Sequence, residues 1–140
     1  QYGMVVPRFV RRALRGEPLT VFGTGEQSRC FCHVADVVKA LIALLDCPDA
    51  VGEVVNIGSD ERISIDALAD RILELTGSDA PKEHLSYEEA YGRPFDDMLL
   101  RVPDLSKIRR LIGYQRSYDL DGTLRQVIEY EKAQLASAGG

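Results

Sequence analysis

Apolar residues recur through residues 4–18, MVVPRFVRRALRGEP, at Val5, Val6, Phe9, Val10, Ala13 and Leu14. That is the spacing of one helix face, and Gly16 and Pro18 supply its stop. LTVF (19–22) reads as a short strand and GTGEQS (23–28) as a turn. In SRCFCHV (28–34) the side chains alternate, with Arg29, Phe31 and His33 on one face and Cys30, Cys32 and Val34 on the other. ADVVKALIALLD (35–46) is a strongly apolar helix closed by Cys47-Pro48, and GEVVNIGS (52–59) reads as a short buried strand bounded by glycines. SIDALADRILELTG (64–77) predicts an amphipathic helix ending at Gly77. KEHLSY (82–87) is a further short strand, and residues 88–103 are irregular. DLSKIRRLIG (104–113) is a helix stopped by Gly113, and residues 119–135 form a terminal helix, with 136–140 expected to fray.

These elements predict one mixed α/β domain over residues 1–140, with four or five helices and short strands. The strands are too few and too scattered for a complete nucleotide-binding sheet. At 140 residues and 45% hydrophobic content the chain can build a real core. A net charge of −5 argues against general nucleic-acid binding. No apolar run approaches the roughly 18 residues that a bilayer crossing needs. Three cysteines without framework spacing fit a reducing cytoplasm. The first methionine is Met4, after Gln1-Tyr2-Gly3, so the sequence reads as a piece of something longer.

The richest stretch is VFGTGEQSRCFCHVAD, residues 21–36. Gly23 and Gly25 do not extend to GxGxxG, and a strand-like stretch follows them where a dinucleotide loop would need a helix N-terminus. A glycine turn between strands is the better reading. Cys30-x-Cys32-His33 departs from the usual Cys-x2-Cys zinc spacing, and the only other histidine is His84. The cysteines are therefore expected to be small buried side chains, with His33 hydrogen-bonded or starting the next helix. The acidic pairs Glu88-Glu89 and Asp96-Asp97 are adjacent in sequence, so their side chains diverge and the default is a solvated loop. Arg8, Arg11, Arg12 and Arg15 read as plain helix surface, Arg15 gaining from the helix terminus. Arg29 follows the glycine turn and Arg101 precedes Pro103-Asp104; each alone reads as a surface charge.

The ordered segments VVPRFVRRALRGEPLTVFGTGEQSR, HVADVVKAL, EVVNIGS and RVPDLSKIRRLIGY resemble the C-terminal part of the extended short-chain dehydrogenase/reductase family acting on nucleotide sugars. The likeness runs over nearly the whole chain. It implies a small mixed substrate-binding domain of an extended Rossmann-type enzyme, the N-terminal Rossmann domain being largely absent. It also implies that Val5, Pro7, Thr20, Val21 and Phe22 form the wall for a uracil or thymine base. Arg29 and Arg101 match arginines that meet the pyrophosphate, Asp104 a residue near the ribose, and Asn56 another nucleotide-side contact. A planar guanidinium offers a diphosphate two charge-assisted donors at once.

The family's cofactor is NAD, held by a glycine loop that this sequence lacks. Its catalytic tyrosine has a lysine four positions later, and no tyrosine here does. The resemblance thus implies a substrate-binding portion, inactive alone, of an NAD-dependent UDP-sugar epimerase of the UDP-glucose 4-epimerase kind. The parent enzyme is expected to be cytoplasmic and homodimeric. UDP-glucuronate decarboxylase and dTDP-glucose 4,6-dehydratase are the alternative reactions, and a non-catalytic nucleotide-sugar-binding module the alternative class. Apolar surface should be exposed where the missing domain docks.

Overall fold

A computed structural model describes residues 4–86, 88–89 and 98–138. The elements are α1 (Val5–Arg15), β1 (Leu19–Phe22), β2 (Ser28–Cys30), α2 (Val34–Leu45), a 3-10 turn (Pro48–Ala50), β3 (Arg62–Ser64), α3 (Ile65–Thr76), β4 (Lys82–Leu85), α4 (Ser106–Ile112) and α5 (Leu120–Ala138). β1 and β4 pair in parallel, with Leu19 opposite Lys82 and Phe22 opposite Leu85. β2 and β3 form a second two-stranded ladder. The mixed α/β expectation holds, but the chain gathers into two compact units where one was expected. The first comprises residues 1–28, 63–100 and 124–140, and the second residues 29–62 and 101–123.

In the first unit α1 packs on α3 and β1. Val6, Phe9, Val10 and Ala13 give α1 its buried face, at the helical spacing that the sequence pattern predicts. Pro7 lies in the first turn, where a missing N–H costs nothing. Gly16 ends the helix at φ 67°, its N–H donating to the Ala13 carbonyl while the Glu17 N–H donates to the Arg12 carbonyl. Phe9, Leu19, Leu68, Ile72 and Leu124 are fully enclosed, each such side chain contributing roughly 1.5–3 kcal/mol by burial. On α3, Ser64 Oγ accepts the Ala67 N–H at 3.1 Å, and Gly77 closes the helix at φ 65°. α5 continues through Ala138, so residues 136–138 are helical where fraying was expected; Ser137 Oγ donates to the Ala133 carbonyl at 2.9 Å.

In the second unit Ala40, Leu105, Ile108 and Tyr114 are buried together, with Leu44, Val55, Ile57 and Ile112 packed against them. The strand expected at 52–59 does not form among the described residues. Its Val54 is 84% exposed, and a strand exists only when a partner takes its backbone groups. β2 stops at Cys30, earlier than the alternation suggested, because His33 turns to cap α2: its Nδ1 accepts the Ala35 N–H at 3.1 Å. α2 itself is inverted relative to an ordinary surface helix. Only Asp36 and Ala40 are buried, while Val34, Val38, Leu41, Ile42 and Leu45 are 47–86% exposed. No helix among the described residues is long and apolar enough to cross a membrane.

Candidate functional site

The glycine turn is built for packing. Gly25 has φ 76°, and a Cβ there would lie 2.8 Å from both Asp66 Cβ and Val21 Cγ1. Gln27, itself buried, spans the turn by donating Nε2 to the Phe22 carbonyl at 2.8 Å. Asp66 N–H and Ile65 N–H donate to the carbonyls of Gly25 and Gln27, both at 3.0 Å. A dinucleotide cradle needs the opposite, open space over its glycines and a helix N-terminus directly after them. The glycine turn at residues 23–27 therefore does not fit a dinucleotide cradle.

On the first unit's β1, the alternation sends Leu19 and Val21 inward, both 0% exposed, and leaves Thr20 and Phe22 half-buried on the other face. Val21 was expected in a base wall; its side chain is interior packing and offers a ligand no surface. Val5 and Pro7 are half-buried in the first turn of α1. Arg8 Nη2 donates to the Thr20 carbonyl at 3.2 Å, and its guanidinium lies 4.7 Å from the Phe22 ring centre. Arg12 Nη1 donates to Pro18 O at 2.7 Å and to Thr20 Oγ1 at 2.8 Å. Arg11 Nε reaches the enclosed carboxylate of Glu131 at 2.6 Å. Three of the four helix arginines thus hold the fold together, where plain surface was expected.

In the second unit Arg29, Asn56, Arg101 and Asp104 are present together. A parallel bridge joins Ser28 to Leu100, with the Ser28 N–H donating to the Leu99 carbonyl at 2.7 Å. Arg29 and Arg101 directly follow the two bridged residues, and the bridge itself is an isolated one. Asn56 Nδ2 donates to the Asp104 carbonyl at 3.2 Å. Asp104 Oδ1 accepts the Ser106 N–H at 2.8 Å, a bond that holds its carboxyl below the ordinary range.

Around these, Asp36 Oδ1 and Oδ2 accept the N–H groups of Ser117 and Tyr118 at 2.8 and 3.2 Å. Tyr118 stacks on His33 with ring centres 4.0 Å apart. Tyr114 Oη donates to the Gly58 carbonyl at 2.8 Å; burial first, then the adjacent Cys32, pushes its phenol pKa upward. The cysteines are half-buried, not fully buried as expected. Burial, then the Asp60 charge, raises the Cys30 thiol pKa, which keeps it protonated and a poor nucleophile. Cys32 Sγ sits 3.6 Å from Tyr114 Oη, and His84, in the other unit, pairs with Asp66 at 3.1 Å. Among the described residues no group of three His, Cys, Asp or Glu side chains could hold a metal ion. Glu89 accepts Ser86 N–H and Oγ–H at 2.9 and 2.7 Å while Ser86 Oγ accepts the Glu89 N–H. That is a capping box, and Asp96-Asp97 lies outside the described residues.

Residues 1–58 match the model of the NAD dependent epimerase/dehydratase family. The chain is 36% identical over 129 residues to UDP-N-acetyl-alpha-D-glucosaminuronate decarboxylase of Bacillus cytotoxicus, covering 92% of this chain and 40% of the relative. The chain belongs to the NAD-dependent epimerase/dehydratase family. Its fold is similar to UDP-glucuronic acid 4-epimerase of Bacillus cereus, solved with UDP-glucuronic acid and NAD (TM-score 0.80, 30% identity, 94% of this chain and 40% of that one). It is also similar to UDP-glucose 4-epimerase of Thermotoga maritima, solved with UDP-glucose (TM-score 0.84, 29% identity, 96% and 41%). The chain thus spans about two fifths of the length of each of these epimerase/dehydratase-family relatives.

Sequence reasoning singled out the two guanidinium groups and their neighbours. It missed Arg8, Arg12, Asp36 and Tyr114. Only the i, i+4 spacing of Arg8 and Arg12 on α1 hinted that two long arms could act on the same neighbouring strand.

Proposed function

We propose that this chain is the nucleotide-sugar-binding part of an NAD-dependent enzyme that acts on UDP-sugars, with 4-epimerisation as the reaction. The observation that supports the reading is the pairing of Ser28 with Leu100, the residues that directly precede Arg29 and Arg101. Two planar cations from these neighbouring segments would suit a diphosphate, whose oxygens accept several charge-assisted bonds. In this reading Asp104 and Asn56 face the ribose side of the nucleotide, and Val5, Pro7, Thr20 and Phe22 serve the base. NAD binds elsewhere in the intact protein, where it supplies hydride transfer. The exposed apolar stripe of α2 is where a cofactor-binding domain would pack.

Decarboxylation of a UDP-uronic acid is the second reading, favoured by the 36% identity to a UDP-sugar decarboxylase. Incubating the intact protein and NAD with UDP-glucose and with UDP-glucuronic acid separates the two. A 4-epimer without CO2 supports the first reading, and CO2 release supports the second. UDP binding without turnover of either sugar would point to a non-catalytic module. Failure to bind UDP would remove the reading altogether.

A further inference from the structure

Arg8 and Arg12 stand one turn apart on α1 and both reach the same face of β1. Arg12 Nη1 occupies one lone pair of Thr20 Oγ1 at 2.8 Å, so the hydroxyl hydrogen turns away from the guanidinium and can serve an acceptor. Arg8 fixes the Thr20 backbone through its carbonyl at 3.2 Å and lies over the Phe22 ring at 4.7 Å, within cation–π range. Thr20 and Phe22 are the two residues of β1 that the pleat leaves outside the core. A cation against one face of an aromatic ring restricts how that ring tilts. A donor on the carbonyl two residues earlier restricts the strand that carries it.

We infer that Arg8 and Arg12 are positioning residues that preset Phe22 as a stacking surface and Thr20 as a hydrogen-bond donor for a pyrimidine base. This rests on the reading of β1 as base wall given above. Pre-organisation matters because each side chain ordered at the moment of binding reduces affinity. The helix arginines remove that cost before the ligand arrives, without touching it.

The test is calorimetry on the intact protein with UDP and with inorganic pyrophosphate, which has no base. Arg8→Met should weaken UDP about three- to tenfold and leave pyrophosphate affinity unchanged. Arg8→Lys should recover part of the loss, since an ammonium can also sit over the ring. In Arg8→Met/Phe22→Leu the loss should be no greater than in Phe22→Leu alone, because both changes remove one unit. Arg12→Met should likewise add nothing to Thr20→Val. If Phe22→Leu weakens UDP while Arg8→Met does not, the inference falls and the base wall stands. Equal weakening of UDP and pyrophosphate by Arg8→Met would also overturn it, marking a general loss of structure. If the unsubstituted protein bound pyrophosphate but not UDP, the base-wall reading itself would fail.

Discussion

Asp36 Oδ1 accepts the backbone N–H of Ser117 at 2.8 Å, although the two residues lie far apart in the chain. The Asp36 side chain is enclosed, with 2% of the residue exposed, and its second oxygen holds the Tyr118 N–H. A buried carboxylate here ties the start of α2 to the segment that precedes α5. Asp36→Ala would leave two backbone donors without an acceptor. It should cost about 2–4 kcal/mol, read as a lower urea midpoint at unchanged slope. Asp36→Asn, which keeps one carbonyl acceptor, should lose less.

Tyr114→Phe removes the hydrogen bond to the Gly58 carbonyl and should cost about 1–2 kcal/mol at neutral pH. The alkaline side carries a second signature. Burial and Cys32 raise the phenol above its ordinary 10 in the folded state, so folding favours the protonated form. That contribution is complete below the unfolded value and is lost as pH rises beyond it. Above about pH 10, stability should fall more steeply in the unsubstituted chain than in Tyr114→Phe. Parallel slopes in urea titrations would contradict this.

Gly25→Ala meets both a left-handed backbone and two carbon atoms at 2.8 Å. It should destabilise by about 2–4 kcal/mol. Gly52→Ala, at φ 78° with nothing within 4 Å of the added carbon, isolates the backbone component and should cost about 1 kcal/mol. Similar midpoints for the two variants would mean that close approach to Asp66 and Val21 does not restrict the turn.

Arg29→Ala and Arg101→Ala should each weaken UDP binding about ten- to a hundredfold in the intact protein. The loss should shrink at high salt, because the interaction is between charges. Calorimetry at two ionic strengths checks this. An unchanged affinity in both variants would remove the diphosphate assignment.

The helices were legible because each carries its own punctuation. Ser64 caps α3 and Gly77 and Gly113 sit in left-handed closures, all decided within a few residues. The glycine turn was also readable as a turn, since no helix follows it. What escaped the sequence depends on partners distant in the chain. VVNIGS has strand composition, yet a strand is a relation between two segments, and none of the described ones pairs with it. Arg11 looked like surface because nothing local announces Glu131. Asp36 gave no signal because its partners are backbone groups, which every residue has. The candidate arginines were found by resemblance, and the bridge between the residues that precede them, Ser28 and Leu100, has no local signal in the sequence.

That bridge has a kinetic consequence. The two strands that it aligns are separated by about half the chain, so closing the intervening loop must precede their meeting. A partly folded intermediate with native helices would still lack this junction between the segments that carry Arg29 and Arg101. In refolding experiments, the ability to capture a nucleotide should therefore emerge with the final phase, after the circular-dichroism signal of the helices has already recovered.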